Sequence, residues 1–372
     1  MRVAIVDPAS TTPPYDHSLA SALARRGHTV DLLTSPFPFG PVPAPEGYRR
    51  DELFLPVSGR ILGRNPRSRA RYVVKGLEYL PSVRRLSRRL GELEPDVVHV
   101  QWLSLPRFDL RWLRRVAAET PTVFTAHHAL PRSGGAGIDA RRRVYELVAR
   151  VIVHSRRAVD DLAALGVDRE RIAYIPHAVF DSDAPDEPSP PTGSTLLFFG
   201  LLRAYKGIDV LVRALARLPD ARLVVAGDPL DPIEPLQELA RDLGVDARIE
   251  WRLGFLPDDE VATLMRDATL VVLPYRRTDA SGVLATAIGH GRPVVVTDVG
   301  SLGETVRDFG LGEVVPPDDA RALADACLRL FADRDRLAAA FEGTRAARKA
   351  LTWDTAAVAH ERVYEAVVAA RT

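Results

Sequence analysis

Short, uninterrupted apolar runs alternate with stretches of helical periodicity along almost the whole chain, and the alternation occurs in two rounds. In the first round Arg2–Val6, His28–Thr34, Val97–Val100, Thr122–Thr125 and Val151–Val153 read as strands. Apolar residues at successive positions mean that both faces of such a strand are covered. Leu19, Ala22, Leu23 and Arg26 recur at helical spacing, and Gly27 stops that helix. From 181 to 193 the chain becomes rich in Asp, Pro and Ser and cannot build a core, so it reads as a linker. The second round follows, with strands expected at Thr195–Phe199, Arg222–Ala226, Arg248–Trp251, Leu270–Leu273 and Pro293–Thr297. Strands alternating with helices imply parallel sheets with helices on both faces. The expected fold class is α/β, with two Rossmann-like domains facing a cleft. The expected boundaries are 1–180 plus 353–372 for the first domain, 181–193 for the linker and 194–352 for the second. The amphipathic stretch Trp353–Ala370 would return as a helix to the first domain.

Composition narrows the class. A length of 372 residues suits two domains, and 46% apolar with 27% charged residues suits globular cores. The net charge of +1 and the lack of any nucleic-acid motif argue against nucleic acid. No apolar run approaches the roughly 18 residues of a membrane span. The opening Met1–Asp7 reads as a strand rather than a signal peptide. The lone Cys327 can form neither an internal disulfide nor a zinc cluster, which fits a cytoplasmic setting.

Two segments of the second half suit an anion. Phe198 to Gly207 leaves a strand and enters a helix: Gly200 permits a tight turn, and Arg203 and Lys206 follow. Arg grips two phosphate oxygens at once and Lys supplies a mobile point charge. Only Lys75, Lys206 and Lys349 are lysines in this chain, so a lysine here is unusual. Ordinary surface charge at a helix start is the competing reading. Downstream, a strand ends at Leu273 and a helix begins near Gly282, whose first-turn amides would point at a bound anion. Ser281 would add a hydroxyl donor or cap that helix.

Residues 195 to 331 resemble the donor-binding domain of the retaining glycosyltransferases of family GT4, which have the GT-B fold. The resemblance rests on Gly200–Gly207, on Ser281-Gly282-Val283-Leu284, on Gly291–Gly300 and on Glu304. It implies a nucleotide-sugar donor, a UDP- or GDP-sugar, with no metal and no other cofactor. Arg203 and Lys206 would hold the diphosphate, and Ser281, Gly282, Val283 and Leu284 the distal phosphate and ribose. Arg252, Gly254 and Phe255 would hold the base largely through backbone groups, and Glu304 would meet a sugar hydroxyl. Two departures stand out. Leu201 occupies the position where many members carry an arginine. Thr278 and Thr286 occupy the positions of two family glutamates, and Asp279 restores one carboxylate by a one-residue shift.

The first half resembles the family more weakly. The loop Asp7–His17 lacks Gly-x-Gly-x-x-Gly, which argues against a nicotinamide or flavin site. Tyr15 and Asp16 are expected on the acceptor side, with Asp16 as a helix N-cap the competing reading. His127, at a strand's carboxyl end, matches a family histidine near the reacting carbon. For His154 and His177 packing roles are expected. Between 60 and 89 ten basic residues face one acid, Glu78, with apolar residues interleaved. That surface suits anionic lipid at the membrane inner face or an anionic acceptor, with a solvated helix as the alternative.

The resemblance therefore implies metal-independent transfer of a sugar, with retention, to a sugar or lipid acceptor, cell-envelope or secondary-metabolite. A nucleotide-sugar epimerase of the same fold and a non-catalytic nucleotide-sugar-binding protein are the alternatives.

Overall fold

The computed structural model describes every residue except 39, 58–68, 131–135, 181, 183–192 and 372, and the backbone alone at 69–73, 106, 107 and 136. Of the expected linker only Ser182 and Gly193 are therefore described. The chain divides into two compact units, Met1–Pro176 with Trp353–Thr372, and His177–Thr352.

The first unit holds β1 (Arg2–Asp7), α1 (Pro13–Arg25), β2 (Thr29–Thr34), β3 (Arg49–Glu52), α2 (Arg69–Leu93), β4 (Val97–Val100), α3 (Pro106–Glu119), β5 (Thr122–Thr125), α4 (Ala136–Leu147), β6 (Arg150–Val153), α5 (Arg156–Ala164) and β7 (Ile172–Tyr174). Its strands pair in parallel in the order β3-β2-β1-β4-β5-β6-β7. The order reverses between β1 and β4, and at such a point the loops at the carboxyl ends diverge and leave a crevice. Central strands are buried at successive positions because helices cover both faces. The two chain ends meet here: the helix Trp353–Ala369 packs on α1, tied by Arg25–Asp354 at 2.9 Å and by Glu361 to Arg26 and His28.

The second unit runs β8 (Thr195–Phe199), α6 (Ile208–Leu215), β9 (Arg222–Gly227), α7 (Glu234–Asp242), β10 (Ile249–Leu253), α8 (Asp258–Asp267), β11 (Leu270–Leu273), α9 (Gly282–Gly289), β12 (Val294–Thr297), α10 (Ser301–Phe309), β13 (Gly312–Val315), α11 (Ala320–Ala332) and α12 (Arg334–Ala350); Trp353–Ala369 is α13. The sheet order is β10-β9-β8-β11-β12-β13, all parallel. Its reversal lies between β8 and β11, so the loops after Phe199 and Leu273, the two segments singled out for anion binding, flank the crevice.

Three local expectations change. Asp16 is not an N-cap: α1 starts at Pro13, which fits a first helical position because its missing N–H was never needed there, and Thr12 takes the cap position. The strand expected at Arg248–Trp251 is Ile249–Leu253, since Arg248 closes a 3₁₀ turn. β3, β7 and β13 are additional strands.

Candidate active site

In the second unit the two candidate segments meet. Gly200 has φ +110°, and a Cβ placed on it would lie 3.0 Å from Val283 Cγ2 and 3.1 Å from Lys206 Nζ. The bare turn thus lets the lysine ammonium and the first turn of α9 approach the same point. A 3₁₀ turn, Ala204–Lys206, buries Lys206 to 8% exposure and leaves Arg203 half-buried at its start. The Lys206 ammonium lies 4.9 Å from the Tyr275 ring centre. Ser281 proves to be the cap of α9, its hydroxyl accepting from the Leu284 amide at 3.3 Å, while Gly282 is exposed and Val283 half-buried. Helix N-terminal amides beside an ammonium give positive potential suited to a polyphosphate.

The basic turn is held from below. The Ala204 amide donates to Asp231 at 2.7 Å, and Arg276 donates its backbone N–H to Tyr205 and its guanidinium to the Ala204 carbonyl. Sequence reasoning gave Arg276 no role, because its partners lie far along the chain.

A ledge of bare backbone leads away from Gly200. A Cβ on Gly227 would lie 2.1 Å from the Gly200 carbonyl oxygen, and the Gly254 amide donates to the Gly227 carbonyl at 3.0 Å. The carboxyl ends of β8, β9 and β10 therefore join in a peptide surface running to Phe255, whose side chain is 58% exposed. The Arg252 guanidinium pairs with Glu250 and, at 3.9 Å, with Glu260. The ledge offers backbone groups and, at Phe255, an aromatic face.

On the other flank the Asp279 carbonyl accepts from the Ser301 amide at 2.8 Å, so the loop holding Asp279 lies against the first turn of α10, which carries Glu304. The two threonines at the family's glutamate positions turn to their own backbone: Thr278 donates to the Ala280 carbonyl at 2.7 Å and Thr286 to the Gly282 carbonyl at 2.9 Å.

In the first unit, His127 follows β5, 8% exposed, its ring stacked on Trp102 at 4.8 Å with 4° between planes. Its Nε2 lies 2.9 Å from the Gln101 side-chain oxygen, so the proton belongs on Nε2. Behind Gln101, His99 bonds Tyr364 of α13 at 2.6 Å and Thr125 at 2.7 Å, and burial holds it neutral. Tyr15 is 3% exposed and packs against His127, His154 and Trp353, with centroids 4.9, 5.5 and 5.0 Å away. Asp7 accepts from the amides of Ala9, Thr11 and Thr12, which shapes the loop after β1. Burial, reinforced by the Asp7 charge, pushes the Asp16 carboxyl well above the usual carboxylate range. His154 and His177 donate Nδ1–H to the carbonyls of Ile175 and Ala178, at 2.8 and 2.7 Å. Gln101 and Trp102 went unremarked in the sequence; their position directly after a central strand was the available signal.

The chain matches two family models: glycosyl transferases group 1 over residues 193–333, and glycosyltransferase family 4 over residues 15–182. It is 30% identical to a D-inositol 3-phosphate glycosyltransferase of Xylanimonas cellulosilytica, across 94% of this chain and 90% of the relative. It is also 30% identical to a phosphatidyl-myo-inositol mannosyltransferase of Mycobacterium leprae, across 99% and 97%. Among solved structures, Anabaena HepE in complex with UDP-glucose superimposes with a TM-score of 0.73 at 17% identity, across 98% of this chain and 100% of that one. The chain belongs to the family 4 glycosyltransferases and has the GT-B fold of two Rossmann-like units. It is a glycosyltransferase.

Proposed function

We propose that the enzyme moves a sugar, with retention at the anomeric carbon, from a nucleoside-diphosphate sugar to a sugar or lipid acceptor. The observation that carries this is the convergence of Gly200, Lys206 and Val283 within about 3 Å of one point at the switch of the second sheet. Arg203, Lys206 and the amides of Gly282, Val283 and Leu284 neutralise the diphosphate without recourse to a metal. The bond from the anomeric carbon to the diphosphate oxygen breaks, its electron pair stays on that oxygen, and these groups stabilise the charge. The acceptor hydroxyl attacks from the same face and its proton passes to the departing phosphate. His127, its ring oriented by the side-chain oxygen of Gln101, orients hydroxyls near the reacting carbon. The base lies on the Gly227–Gly254 ledge against Phe255, and Asp279 and Glu304 face the donor sugar. Asp16 and Tyr15 shape the acceptor side.

The mannosyltransferase relative carries a lipid in its name, and exposed residues of α2 support a similar encounter. Leu77 and Leu80 are 74% and 64% exposed on a helix that also carries Arg84, Arg85 and Arg88. Residues 60–68 of the basic segment lie outside the described residues. Peripheral contact at the inner face of the membrane, from the cytoplasm, belongs to this reading. No described helix is long and apolar enough to cross a membrane.

The test is a thermal-shift panel of UDP, GDP, ADP, dTDP, their sugars and NAD, repeated on Lys206→Ala. A ligand at about 100 times its dissociation constant stabilises by about 2.7 kcal/mol. A shift with one nucleoside diphosphate that disappears in the variant is the expected result. No shift with any diphosphate, or a shift with NAD, sinks the reading. Binding without turnover over an acceptor panel favours a non-catalytic protein, to which the self-bonded Thr278 and Thr286 would point.

A further inference from the structure

Of the two basic candidates for the diphosphate, Lys206 is the one the fold buries, and its surroundings are aromatic. The ammonium sits 4.9 Å from the centre of the Tyr275 ring and 6.0 Å from that of Phe198. Tyr275 itself is firmly set. It is 2% exposed, its ring meets Phe198 at 6.5 Å and 61°, and its carbonyl accepts from the Thr297 hydroxyl at 2.5 Å. The tyrosine therefore cannot follow the lysine; the lysine must adapt to it.

Lysine is a strongly hydrated point charge on a flexible stem, so an unrestrained ammonium spreads over several ångströms. An aromatic face attracts the ammonium through its quadrupole and leaves the positive charge intact. The void beside Gly200, where a Cβ would lie 3.1 Å from Nζ, is the space left for that ammonium.

We infer that Tyr275 is a positioning residue for the donor diphosphate, its ring holding the Lys206 ammonium over the Gly200 turn. The inference rests on the proposed donor site. Tyr275 touches neither phosphate nor sugar in this role; it acts through Lys206.

Calorimetric titration with the nucleoside diphosphate that binds the wild type tests it. Tyr275→Phe keeps the ring and is expected to bind within about twofold of wild type. Replacement of Tyr275 by phenylalanines of increasing fluorine content drains the quadrupole at nearly constant size. Affinity is expected to fall stepwise, to about tenfold at the end of the series, a cation–π contribution of desolvated size. Tyr275→Leu is expected to lose about tenfold in the wild-type background and nothing further in Lys206→Ala, while the parent nucleoside binds both alike. A flat fluorine series, or a loss that adds in full to that of Lys206→Ala, overturns the role of Tyr275. If Tyr275→Leu does not fold, the fluorine series still decides. A wild type that binds no nucleoside diphosphate refutes the donor site, and the inference falls with it.

Discussion

Arg276 grips both carboxylate oxygens of Asp209, at 2.9 and 2.7 Å, and reaches Asp318 at 2.6 Å and the carbonyl of Ala204 at 2.6 Å with its other donors. One side chain thus ties the loop after β11 to the start of α6 and to the 3₁₀ turn that carries Lys206. A planar guanidinium does this through its fixed fork, which an ammonium cannot reproduce.

Arg276→Lys should therefore weaken nucleoside-diphosphate binding and lower stability by about 2 kcal/mol, the order expected when charged hydrogen bonds lose their geometry. Urea unfolding and calorimetric titration measure the two effects. Unchanged affinity in a folded Arg276→Lys protein would show that the clamp serves stability alone.

Gly227 makes a sharper demand. Its φ is +139°, and a Cβ there would lie 2.1 Å from the Gly200 carbonyl oxygen. Gly227→Ala must push β9 and the Gly200 turn apart, and should cost about 2 kcal/mol or more while abolishing donor binding. A variant with wild-type unfolding and wild-type affinity would contradict the close approach of the two strand ends.

The pH response of stability has a definite sign at His360. Its Nδ1–H donates to the Ala356 carbonyl at 2.7 Å, and burial holds its pKa down to about 4 against 6.5 for an ordinary histidine. Between those values the unfolded chain takes up a proton that the folded one refuses. Stability is whole above pH 6.5 and is lost as pH falls toward 4, by on the order of 3 kcal/mol from this group. His99, 5.5 Å away, is depressed by burial and by His360, and acts in the same direction. Asp16, with its pKa raised, contributes the opposite slope, so the quantity to read is the difference between the wild type and His360→Gln. That difference should shrink as pH drops from 7 to 4.5 in denaturant titrations; a constant difference would contradict a buried neutral His360.

What was legible in the sequence follows from where each partner lies. Val97–Val100 and Thr122–Thr125 declare themselves because central parallel strands are covered on both faces. Arg49–Glu52 is wholly polar, Ile172–Tyr174 is three residues long, and Gly312–Val315 opens with Gly-Glu. All three are edge strands, where one side carries no neighbour and the apolar signal fades. The basic turn and the Ser281 cap were readable because each is local. Arg276 was not, since Asp209 lies 67 positions away, nor was Gln101, 26 positions from His127. Asp16 looked like a cap from its neighbours, yet Pro13 moved the helix start and left it beside Asp7, a proximity that only the fold creates.

The ledge from Gly200 through Gly227 to Gly254 has a consequence for how this enzyme can change over time. Peptide groups do not mutate. A surface built from them presents the same donors and acceptors whatever side chains drift around it, provided the glycines stay. Preference for a nucleotide held on such a surface would be inherited stubbornly, and retuning it would fall to the few side chains at its end, Phe255 foremost. An acceptor side assembled from side chains on separate loops, as proposed, would lack such an anchor and be free to diversify.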